Sequence, residues 1–167
     1  MAREVVRIEG LEGVLDTLQK LPPEIVSKRG GPVRFALRKA AQVLQKEVQS
    51  NLQKIIDTPN KDGRDESTGL TKKNIVITRG RRRNFKGESM LVRVRNKRFP
   101  DQRGKASTTA ANARRLEYGT EKRRPMPFIR PAFNSKRMEA LGVFSREINK
   151  KLVAIQRKLE RENRVIT

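Results

Sequence analysis

Cysteine, histidine and tryptophan are absent from these 167 residues. Without cysteine there is no disulfide framework and no thiolate site. Structural zinc takes cysteine or histidine, so a zinc finger is excluded as well. The commonest nucleophile–base pairs are also missing, and with them the side chain best suited to moving protons near neutral pH. An enzyme would have to work with Asp, Glu, Lys, Ser or Tyr, and none of these stands in a recognisable motif. Gly30-Gly31 and Gly63 do not form a G-x-x-x-x-G-K phosphate loop. The expectation is a protein that is not an enzyme and holds no metal and no cofactor. Aromatics are scarce, at six Phe and one Tyr. The apolar runs are only a few residues long, far short of the roughly 20 that span a bilayer. The N-terminal MAREVVRIEGLEG lacks the apolar region of a signal peptide. A soluble chain with no membrane partner is expected.

What the chain has in abundance is positive charge. Forty basic side chains stand against 18 acidic ones, a formal charge of +22. Such a chain repels itself and calls for anionic neighbours: nucleic acid, an acidic protein surface or an anionic membrane. The length fits one domain over 1–167. The charge is uneven. From Arg79 to Lys105 eleven basic residues meet two acidic ones, +9 in 27 positions.

Periodicity supplies the elements. REVVRI at 3–8 reads as a strand, and Leu11, Val14, Leu15 and Leu18 follow at helical spacing until Leu21-Pro22-Pro23. After KRGGP, Val33, Leu37, Ala40, Ala41, Leu44, Val48, Leu52 and Ile55 recur at three and four, a long amphipathic helix with Pro32 in its first turn. Its other face, Arg34, Arg38, Lys39, Gln42, Gln45, Lys46 and Gln49, reads as solvated. Residues 57–68 are a polar loop whose acids do not match the spacing of a calcium loop. Two strands, 74–79 and 89–95, flank a basic tip at 79–88 and form a hairpin. A second polar loop spans 97–107, and a short helix over 108–117 ends at Gly119. The prolines of KRRPMPFIRPAF predict an extended arm carrying Met126, Phe128, Ile129 and Phe133. Met138, Leu141, Phe144, Ile148, Leu152, Ile155 and Leu159 then lie on one narrow stripe of a long C-terminal helix over 134–163, suited to a single partner helix in this chain or a neighbour. The expected fold is α+β: a small antiparallel sheet of 3–8, 74–79 and 89–95 packed on two long helices.

Two sets of candidate contact residues follow. Arg79, Arg81, Arg82, Arg83, Lys86, Lys97, Arg98, Arg103 and Lys105 are placed to meet phosphates or an acidic partner, by contacts that weaken with salt. Only Phe85 and Phe99 interleave with them, too few for a base-stacking surface. The second set, Leu116, Tyr118, Met126, Phe128, Ile129, Phe133, Phe144, Ile148 and Leu152, is expected at an assembly interface. A non-specific nucleic-acid-binding protein is the alternative reading of the basic hairpin.

Four segments in order carry a family resemblance. They are Ile8-Glu9-Gly10-Leu11-Glu12-Gly13-Val14-Leu15, Phe35-Ala36-Leu37-Arg38-Lys39-Ala40-Ala41, and Ser67-Thr68-Gly69-Leu70-Thr71-Lys72-Lys73-Asn74-Ile75. The fourth pairs Leu116-Glu117-Tyr118-Gly119-Thr120 with Pro127-Phe128-Ile129-Arg130-Pro131-Ala132-Phe133. Together they resemble the minor tail component or tail-completion family of long-tailed, lambda-like bacteriophages. The loop from Arg79 to Lys105 is more basic than that family's pattern. The resemblance implies a virion structural protein of the head–tail connector or the head-proximal tail, made in the host cytoplasm. It implies a homo-oligomeric ring, six-fold by expectation, that meets other neck and tail proteins and lines the DNA path. Six copies at +22 each would carry +132, a charge that needs anions nearby.

Overall fold

The computed structural model describes residues 31–58, 69–80, 88–100, 106–121 and 124–165, with the side chains of 158–160 and 162–165 excepted. In chain order the elements are α1 (Pro32–Asp57), α2 (Leu70–Lys73), β1 (Ile75–Arg79), β2 (Met90–Val94), β3 (Arg98–Pro100), β4 (Ala106–Thr108), α3 (Thr109–Tyr118) and α4 (Ile129–Val165). The fold is α+β, with two antiparallel two-stranded sheets, β1–β2 and β3–β4, set beside long helices. The strand expected at 3–8 and the helix expected after it lie outside the described residues.

The two long helices form the frame. At 1.5 Å per residue, α1 and α4 run about 39 and 55 Å. They pack antiparallel: Val48 and Leu52 near the end of α1 meet Phe128 and Ala132 at the start of α4, and Ala36 near the start of α1 meets Ile148 and Leu152. The C-terminal stripe is therefore covered by a helix of the same chain. Ala36 has no exposed surface, so small residues let the two backbones approach there.

The hairpin lies along α1, with its base at Leu52, Ile55 and Ile56 and its tip end reaching Arg34 through Glu88. Alternation along β2 turns Val92 and Val94 inward and leaves Leu91 and Arg93 exposed. The register pairs Ile75 with Val94 and Ile77 with Val92, so one face of the ribbon packs on Leu52, Ile55 and Ile56 of α1. Gln45, expected on a solvated helix face, instead donates to the Ile75 carbonyl at 2.8 Å and ties β1 to α1. Arg34, on the same face, joins Arg79 in pairing with Glu88, at 3.2 and 2.7 Å. These two side chains correct the reading of that face: residues near the sheet serve as its anchors.

Two further boundaries differ from the sequence reading. Part of the polar loop expected at 97–107 forms β3 and β4, paired from Arg98–Thr108 to Pro100–Ala106. Three-residue strands leave almost no periodicity to detect. The ribbon is held by Thr109, which is wholly buried. Its hydroxyl donates to the Arg95 carbonyl and accepts from the Lys97 N–H at 2.9 Å. The extended arm is also shorter than expected. Residues 124–127 have no regular structure, and α4 begins at Ile129 and takes in Pro131. A proline in a helix's first turn removes an N–H that has no intrahelical partner, so it costs little there.

Candidate assembly surface

The segment from α3 into α4 is built around one carboxylate. Thr108 caps α3 by accepting from the Ala111 N–H at 3.1 Å, and the helix ends where Gly119 takes a left-handed φ of 76°. That turn brings the chain back so that the Met126 N–H donates to the Leu116 carbonyl at 2.7 Å. Glu117, 3% exposed, then faces the start of α4. Its carboxylate accepts from the backbone N–H groups of Phe128, Ile129 and Arg130 at 2.8, 2.9 and 3.0 Å.

Those bonds close an account. The first four backbone N–H groups of a helix have no partner within it. At the start of α4 the four residues are Phe128 to Pro131. Glu117 takes three of the groups and proline lacks the fourth. An acid in the last turn of α3 is unfavourable by about 0.3–1 kcal/mol against that helix's dipole. Hydrogen bonds to a charged group contribute about 1.5–3 kcal/mol each, so the cap on α4 outweighs the penalty. Burial alone pushes the Glu117 carboxyl up. The bonds from Ile129, Phe128 and Arg130 more than reverse this, and the group sits below the ordinary carboxylate value.

Arg130 completes the latch. Its Nε donates to the Glu117 carboxylate and its Nη2 to the Glu117 carbonyl, both at 3.1 Å. Its guanidinium also lies 5.2 Å from the centre of the Tyr118 ring, within cation–π range. Tyr118 is 67% exposed, and Phe133, three residues beyond Arg130 on α4, is 54% exposed. The latch thus holds Tyr118 beside Arg130 at the surface, and Phe133 is exposed further along α4. Tyrosine, phenylalanine and arginine in solvent are the residue types enriched at protein interfaces.

The expected assembly set divides on this geometry. Tyr118 and Phe133 are open, and Met126, Ile129 and Phe144 are half-buried. Leu116, Phe128, Ile148 and Leu152 are buried in the chain's own core and offer no surface to a neighbour. Glu117 and Arg130, absent from that set, organise it. The signal for Glu117 was its place at the end of a helix, where an acid is unfavourable without a partner.

The basic set divides too. Arg79, Lys97 and Arg98 are exposed, Arg79 with its Glu88 pair, whereas Arg81, Arg82, Arg83, Lys86, Arg103 and Lys105 lie outside the described residues. Arg93 and Arg95 are also exposed, and they extend the cationic face from β2 to Lys97 and Arg98. Among the described residues no three acidic side chains gather to hold a metal ion, and no helix is long and apolar enough to cross a membrane. Set against family models, curated proteins and solved structures, the chain has no match.

Proposed function

We propose that this chain is a structural subunit of a long-tailed bacteriophage. It assembles as a ring that completes the tail or joins it to the head, and Tyr118, Arg130 and Phe133 contact the adjacent subunit. The observation that carries the reading is the latch. The two segments that hold the most specific part of the family resemblance form one unit, because Glu117 of the first caps the helix opened by the second. Tyr118 and Phe133 beside that unit are exposed and free to meet a neighbour. A closed ring requires each subunit to offer two different patches that fit head to tail. Light scattering on the full chain tests this. The expected result is one discrete multimer that Phe133→Asp converts to monomer without loss of helical signal. A chain that stays monomeric at every concentration, or a multimer indifferent to Phe133→Asp, overturns it.

A second reading rests on the exposed row Arg93, Arg95, Lys97 and Arg98. These cations suit sequence-independent contact with phosphates, alone or along a ring's DNA channel. Binding of duplex DNA that falls steeply with added salt supports this reading, and no binding at low salt removes it.

A further inference from the structure

At the end of the frame away from α3, α1 begins beside the C-terminal part of α4. Ala36, Ile148 and Leu152 close the contact there. One turn further along α4, where α1 begins, lies a shallow groove lined by Gly31, Pro32, Phe35, Lys151, Ala154 and Ile155. Apart from the lysine, every lining side chain is carbon or absent. Phe35 is 39% exposed. The ammonium groups of Lys39 and Lys151 lie 5.7 and 4.5 Å from the centre of its ring. Neither lysine forms an ion pair among the described residues. Beyond the groove α4 continues over residues 156–165, ten residues or about 15 Å.

An apolar floor wants apolar side chains, and two ammoniums with no carboxylate partner among the described residues want carboxylates. The ring of Phe35 holds both cations in place by cation–π attraction. A free anion would use the rim and leave the floor wet. A second copy of this chain would bring another +22 and the same pair of lysines to the groove. The wall at Pro32 offers no backbone N–H for strand addition, so the fitting geometry is a helix laid in a groove. We propose that this groove docks an acidic amphipathic helix of a different protein, with its apolar stripe on Phe35, Ala154 and Ile155 and its carboxylates on Lys39 and Lys151. The inference does not rest on ring formation, and a monomer would bind in the same way.

The test uses the full chain and three labelled synthetic peptides, read by fluorescence anisotropy at physiological salt. One has leucines at every third and fourth position with glutamates between. The second is its scrambled form, and the third replaces glutamate by lysine. The first binds saturably, the scrambled peptide binds about tenfold more weakly or worse, and the lysine peptide does not bind. Lys151→Glu and Ala154→Glu each weaken binding by about tenfold or more, since each puts a like charge in the seat. Both positions are exposed, so the fold tolerates the change, and matched circular dichroism verifies it. Arg114→Glu, exposed on α3 at the other end of the frame, leaves binding unchanged. A photo-crosslinker at Ala154 identifies the occupant, and an adduct with the acidic helical peptide supports the proposal. Equal binding of the scrambled peptide, or indifference to Lys151→Glu, overturns it. So does a crosslink to residues 1–30 of the same chain or to a second copy.

Discussion

Glu117 shows how much of this surface depends on one side chain. Its carboxylate is buried yet charged, because three backbone N–H groups and Arg130 converge on it. Replacing it with glutamine keeps the shape but turns an NH2 group toward donors. Glu117→Gln is expected to cost about 2–4 kcal/mol in urea unfolding, the range for losing charged hydrogen bonds in a buried site. The pH dependence follows in sign. The folded-state pKa lies below the ordinary 4.5, so the contribution is fully present above 4.5 and is lost as pH falls through the folded value. The stability of the native chain should therefore fall on acidification below 4.5, while Glu117→Gln flattens that acid limb. Tyr118 presents a different case. It is exposed, so Tyr118→Ala leaves stability within about 0.5 kcal/mol, and its effect appears in assembly alone.

At the scale of elements, the long helices were legible because their apolar residues repeat over many turns. The period of Val48, Leu52 and Ile55, and of Ile148 and Leu152, reports the buried faces directly. The hairpin was legible through the β-branched run Ile75 to Thr78 and the alternation in Met90 to Val94. What escaped depends on partners distant in sequence. β3 and β4 are three residues each and rest on Thr109, whose hydroxyl reaches back to Arg95 and Lys97. No local pattern announces such a bond. The early start of α4 escaped for the same reason, since its cap comes from a different helix. The helical pair makes its own prediction. Ile148 has no exposed surface at the α1–α4 contact, and Ile148→Ala should cost about 2–5 kcal/mol by leaving a cavity. Amide exchange should divide α4, slow where Ala132 to Leu152 pack on α1 and faster from Gln156 onward.

Across the whole molecule, the formal charge of +22 is the feature that calls for anionic neighbours. Two exposed surfaces are available for the proposed contacts: Tyr118 and Phe133 beside the Glu117 latch, and Arg93, Arg95, Lys97 and Arg98 from β2 to the start of β3. Which interface residues were free was not legible in sequence, because a hydrophobic side chain looks the same whether its partner is in its own chain or a neighbour. Leu116 and Phe128 proved internal, and Tyr118 and Phe133 external. The charged face carries its own expectation. If it meets DNA, Arg93→Gln with Arg95→Gln should lower the salt slope of binding by about two, roughly one per lost phosphate contact. Assembly should be unaffected. Electron microscopy of the assembled full chain is the most direct test of the proposed ring closed through Tyr118, Arg130 and Phe133. The account predicts closed rings of uniform copy number in which Tyr118 and Phe133 sit between adjacent subunits. Rings with both side chains in solvent, or no closed assembly at all, would contradict it.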